Sequence, residues 1–106
     1  MPDPRIEKLA DVLVNYSVAI QPGDRVMIRT GATAAPLAKA LAAFVLEAGG
    51  HPLTMMSVDG GQEVFFRHAS DEQLQYVHEP YKQIYETYEA MITADAASAD
   101  RRPAAI

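Results

Sequence analysis

The sequence predicts an α/β domain: a three-layer, Rossmann-like half-sheet of three parallel strands in the order 2-1-3, with elements running α-β-α-β-α-α-β. Three observations predict it. Val26-Met27-Ile28 and the run Leu53, Met55, Met56, Val58 are nearly continuous apolar stretches, the pattern of strands covered on both faces. A helical pattern closed by Gly49-Gly50 lies between them, which makes a βαβ unit with a right-handed crossover. A third short apolar run, Ala90 to Ala94, follows two more helical stretches.

The elements follow in order. Asp3 before Pro4 is a helix start, an N-cap followed by proline where a missing N–H costs nothing. Ile6, Leu9, Leu13, Tyr16 and Ile20 recur at spacings of three and four, so a helix is expected over about residues 4–19. Gln21-Pro22-Gly23-Asp24 is turn chemistry and ends it. Residues 25–30 form the first strand and 31–35 a small-residue loop. Pro36 opens the second helix, with Leu37, Leu41, Phe44 and Ala48 on one face. Only Lys39 and Glu47 mark a polar stripe, so this helix has little obligatory solvent face. Residues 51–58 give the second strand. A short helix is expected over 62–69, carrying Val64, Phe65 and Phe66.

Ser70-Asp71-Glu72-Gln73 is a capping box. Leu74, Val77, Tyr81, Ile84, Tyr85 and Tyr88 then keep helical phase, interrupted by Pro80, which predicts a kink or two abutting helices. Residues 1–95 are read as one domain. Residues 96–106 are read as a tail, or as the start of a linker to a C-terminal domain.

Composition excludes several classes. The 106 residues support one core, which buries roughly two-thirds of the extended-chain surface. Apolar residues make up 49% and charged residues 22%, near the globular average. A net charge of −5 argues against non-specific nucleic-acid binding. With no cysteine, disulfides, thiolate metal sites and a cysteine nucleophile are absent. The longest apolar-rich stretch, Ala32 to Ala48, carries Lys39 and Glu47 and falls short of the ~20 residues a membrane span needs. The charged N-terminus has no signal core, and a cytoplasmic protein is the expectation.

Ligands of open parallel sheets bind at the carboxyl ends of the strands. Thr30, Thr33, Asp59 and Asp95 are therefore the candidates for lining a cleft, although Thr and Asp are also ordinary loop and cap residues. The loop Gly31–Pro36 precedes a helix, a place where anions bind. It lacks the Gly-Lys-Ser/Thr of a P-loop and the glycines of a dinucleotide fingerprint. His51, His68 and His78 show no metal-ligand spacing, and the serines show no nucleophile elbow. No catalytic residue and no metal ligand is assigned. The tyrosine stripe reads as core or interface packing.

Three stretches carry a family resemblance: Pro22-Gly23-Asp24-Arg25-Val26, Glu47-Ala48-Gly49-Gly50-His51-Pro52, and Ser70-Asp71-Glu72-Gln73-Leu74. With the residues around them, the chain resembles the N-terminal domain of the thermophilic-type metallo-aminopeptidases, known as aminopeptidase T, aminopeptidase S or leucyl aminopeptidase. The resemblance implies a longer enzyme whose two divalent ions, zinc or cobalt, and whose catalytic residues belong to a C-terminal domain. It implies a peptide substrate, a homodimer, and partnership with that catalytic domain. On this expectation the full protein is a hydrolase, and the 106 residues alone have no peptidase activity. Two other classes stay open: a stand-alone Rossmann-like module for a small anion or nucleotide, and a structural interaction domain.

Overall fold

In the computed structural model, which describes residues 3–102, the first helix starts as its cap chemistry dictates. The Arg5 N–H donates to Asp3 Oδ1 at 2.9 Å, and Pro4 opens α1, Pro4–Asp11. The α-helix does not run to residue 19. From Val12 to Ser17 the backbone widens into a π-helix, and the Val18 N–H reaches back five residues to the Leu13 carbonyl. The widened winding changes the buried stripe. It becomes Ala10, Leu13, Val14 and Val18, while Tyr16, expected to face inward, is 75% exposed.

Next come β1 (Arg25–Thr30), α2 (Ala35–Glu47) and β2 (His51–Met56). Strands β1 and β2 are parallel, with Arg25 opposite His51. After α3 (Gly61–His68) the predicted capping box forms: the Gln73 N–H donates to Ser70 Oγ, and the Ser70 N–H to Gln73 Oε1. It starts only the short α4, Asp71–Gln75. Tyr76 and His78 are extended, so the expected break at Pro80 becomes a full separation, and α5 is Glu79–Thr87. Proline lacks the N–H that an internal turn needs, and the first turn of a new helix does not.

Strand β3 (Ala90–Thr93) lies parallel to β1 on the side away from β2, with Val26 opposite Ala90. The expected order 2-1-3 is therefore present, with one correction. Ser98–Arg101 form β4, antiparallel to β3, so the sheet is mixed and four-stranded in the order β2-β1-β3-β4. Part of the stretch read as tail thus belongs to the sheet, and residues 103–106 lie outside the described residues. Ser-Ala-Asp-Arg has no β-branched or aromatic residue, and only pairing with β3 makes it a strand.

Helix α1, its π extension and α2 cover one sheet face. Leu37, Ala38, Leu41 and Val45 meet Val26, Ile28 and Ile92 there. Met27, of opposite alternation, is 1% exposed on the second face, where α5 lies: Arg29 of that face donates to the Tyr85 hydroxyl at 3.3 Å. β2 was read as covered on both faces. It is instead an edge strand, with Leu53 and Met56 exposed. Val64, Phe65 and Phe66 on α3, with Leu74, Tyr76 and Val77 beyond it, also stay exposed.

The amino edge of the sheet is tied by two ion pairs. Arg25 Nη2 meets Glu89 Oε2 at 2.7 Å, the Arg25 backbone N–H donates to Glu89 Oε1 at 2.6 Å, and Arg25 Nη2 also donates to the Thr87 carbonyl. The Arg25 side chain, then its backbone N–H, hold the Glu89 carboxyl down at about 2. Arg101 Nη1 meets Asp24 Oδ2 at 2.8 Å and also donates to the Val18 carbonyl.

Candidate functional site

The carboxyl ends of β1, β2 and β3 share one edge because the three strands are parallel. Two adjoining hollows open there. The smaller, about 220 Å³, is lined by Arg29, Thr30, Met55, Met56, Ser57, Tyr81, Thr93 and Asp95. The second is lined by residues 31–34 with Ser57, Asp59 and Asp95. All four sequence candidates border this edge: Thr30 and Asp95 on the first hollow, Thr33, Asp59 and Asp95 on the second. Ser57 and Asp95 are common to both.

Local geometry explains the placement. The strand order reverses at β1, since β2 pairs on one side of it and β3 on the other. Such a reversal leaves a crevice between the diverging loops. The Ser57 N–H donates to the Thr30 carbonyl at 2.9 Å, which joins the ends of β1 and β2. The Gly31 N–H donates to Asp95 Oδ1 at 2.8 Å and lies 3.1 Å from Oδ2, which joins β1 to the turn after β3. A Cβ on residue 31 would stand 3.0 Å from Asp95 Oδ2, so a side chain there would push the carboxylate back by a few tenths of an ångström. The Thr30 hydroxyl is buried and donates to the Gly31 carbonyl at 2.7 Å, which leaves it a poor donor to any ligand.

Four lining residues with polar groups on their side chains were not candidates from the sequence. Arg29 sits in a strand whose sidedness only the sheet reveals, Tyr81 read as part of a packing stripe, and Ser57 and Thr93 carry no motif. Periodicity two along β1 was the one available signal for Arg29, since it alternates with the buried Val26 and Ile28.

The donor set does not fit a divalent ion. Among the described residues no group of three His, Asp or Glu side chains converges. Asp95 is engaged with Gly31, and the histidines lie elsewhere: His51 opens β2 at the amino edge, His68 ends α3, and the His78 ring packs edge-on to Tyr76 at 5.0 Å. Nor does a hydroxyl nucleophile meet a base here. The arrangement provides a guanidinium, hydroxyls and a carboxylate around a small hollow, which is binding chemistry. Among the described residues no helix is long and apolar enough to cross a membrane.

Two of the three stretches that carry the family resemblance, Pro22–Val26 and Glu47–Pro52, meet at the opposite, amino edge, and the third, Ser70–Leu74, caps α4. The Gly23 N–H donates to the Gly49 carbonyl at 2.9 Å, and the His51 N–H to the Asp24 carbonyl at 2.7 Å. These motifs therefore lock the two turns that feed β1 and β2, and their work is structural. A comparison with curated proteins returns no match. The family model described as thermophilic metalloprotease (M29) matches residues 2–104, which include both locked turns and the whole of the sheet. The chain belongs to the M29 family of thermophilic metalloproteases.

Proposed function

We propose that this chain is the N-terminal α/β domain of a metal-dependent aminopeptidase that removes N-terminal residues from peptides. In this reading it shapes the substrate cleft and an interface, and a C-terminal catalytic domain holds the two divalent ions, zinc or cobalt. The family match over residues 2–104 carries the proposal. The exposed apolar side chains from Val58 to Val77 supply surface for such a partner. The protein works in the cytoplasm in this reading.

The test is an assay of the purified chain on aminoacyl-nitroanilides with added Co²⁺ or Zn²⁺. Release no faster than the metal-only blank is expected, and metal-dependent turnover would overturn the division of roles. The family resemblance also implies a homodimer. Light scattering is expected to return twice the monomer mass of 11.5 kDa, whereas a monomer at high micromolar concentration would remove that part of the reading.

One observation counts against the nucleotide-binding alternative. The first amide of the loop after β1 is already taken by the Asp95 carboxylate, which leaves one fewer backbone donor for a phosphate. The structural interaction domain differs from the leading reading only in lacking a catalytic partner, and the same exposed apolar surface serves both.

A further inference from the structure

We infer that the hollow at the carboxyl edge binds a small zwitterion, an α-amino acid or dipeptide with an apolar side chain, its carboxylate on Arg29 and its ammonium toward Asp95. The inference goes beyond the proposed activity, since it needs no metal and no bond cleavage.

Three observations converge on it. First, the hollow lies across the carboxyl ends of β1, β2 and β3, around the strand at which the order reverses and where open sheets hold their ligands. Second, its charges are mixed, and neither is in an ion pair among the described residues. Arg29 makes no ion pair among the described residues, and its guanidinium is held only by the Tyr85 hydroxyl at 3.3 Å. Asp95 lines the same hollow, and its described donor is the backbone N–H of Gly31. A simple anion would satisfy Arg29 and be repelled by Asp95, and a simple cation would meet the reverse. A ligand carrying both charges satisfies both groups at once. Third, Met55 and Tyr81 add apolar wall, and about 220 Å³ is below the range of larger ligand pockets. Ser57 and Thr93 add hydroxyls that can bond to either charged group.

The test is an amide-resolved NMR titration of the whole chain with three probes: L-leucine, 4-methylpentanoate and 3-methylbutylamine. The second probe lacks the amine and the third lacks the carboxylate. Leucine is expected to give saturable shifts at Gly31, Ser57 and Asp95. Each singly charged probe is expected to bind at least about tenfold more weakly. Arg29→Met keeps an apolar stem at an exposed position, and its dispersed spectrum reports folding independently. It is expected to weaken leucine at least about tenfold. No saturable shift below about 20 mM leucine overturns the inference. So does equal binding of 4-methylpentanoate, which would make this a plain anion site, or unchanged affinity in a folded Arg29→Met. None of these outcomes depends on turnover, so this reading and the aminopeptidase reading fail separately.

Discussion

Arg101→Met is expected to destabilise the domain by about 2–3 kcal/mol at neutral pH, a large share of an ordinary domain's stability. The cost comes less from the lost pair than from what stays behind. Asp24 is 7% exposed, and its Oδ2 accepts from Arg101 Nη1 and from the Gln21 N–H, each at 2.8 Å. Without the guanidinium a largely buried carboxylate keeps one donor. Arg101 also donates to the Val18 carbonyl, so the side chain clamps β4, the end of the first helix and the turn before β1 together.

The pH dependence should separate this account from a simple packing loss. Burial pushes the Asp24 carboxyl up, but the Arg101 and Gln21 hydrogen bonds outweigh it and hold the group below its ordinary 3.8. A carboxyl lowered by folding stabilises the native state above its unfolded value and loses that contribution as the pH falls. Glu89, held at about 2, acts in the same direction. In Arg101→Met the burial effect at Asp24 prevails, so that carboxyl rises above its unfolded value. Its destabilisation is then relieved on acidification. The gap between wild type and variant, read from urea midpoints, is expected to narrow from about pH 7 toward about pH 4. Adding Asp24→Asn to the variant is expected to recover part of the loss. A variant within about 0.5 kcal/mol of wild type would remove the clamp from the argument.

Gly50→Ala is expected to cost about 2–3 kcal/mol, by overpacking alone. Its φ is not positive, so an alanine backbone is allowed there. The added Cβ would stand 2.9 Å from Val45 Cγ1, 3.0 Å from Ile20 Cγ2 and 3.2 Å from the Asp24 carbonyl oxygen. Two of these neighbours are core side chains and the third is backbone, so none has room to withdraw. Gly23→Ala is the contrasting case. Its φ is +87°, with nothing within 4 Å of the new Cβ, so only backbone strain of about 1 kcal/mol is expected. Denaturant midpoints of the two variants give the order, and a Gly23→Ala loss larger than that of Gly50→Ala would overturn the steric account.

Legibility in the sequence followed the range of the interaction. The Asp3 cap and the Ser70–Gln73 box were readable because their partners lie two and three residues away. The burial of Val26, Met27 and Ile28 was readable because a continuous apolar run has few other homes. The π winding at Val12–Ser17 was not, since it depends on which residues α2 and the sheet accept. Tyr16 kept helical phase in the sequence and lost it to that demand. The edge position of β2 was hidden for a similar reason, because apolar content shows that a strand is buried or sticky without telling which.

The candidate site divides the same way. Thr30, Thr33, Asp59 and Asp95 were placed at one edge by element order, since parallel strands bring their following loops together. Arg29 and Tyr81 joined them only when the sheet's second face and α5 were in place.

By itself the sequence determined the βαβ core, the order of the three parallel strands, the lack of thiol chemistry and the family. Each rests on local pattern or on residue type. The tertiary structure alone decided that Ser98–Arg101 completes the sheet, that Asp95 closes the Gly31 amide, and that Arg29 faces a hollow with no ion-pair partner among the described residues. The Asp95–Gly31 bond joins residues 64 apart, the place of Arg29 turns on a strand's sidedness, and β4 is a strand only through pairing with β3, because Ser-Ala-Asp-Arg has no strand propensity of its own.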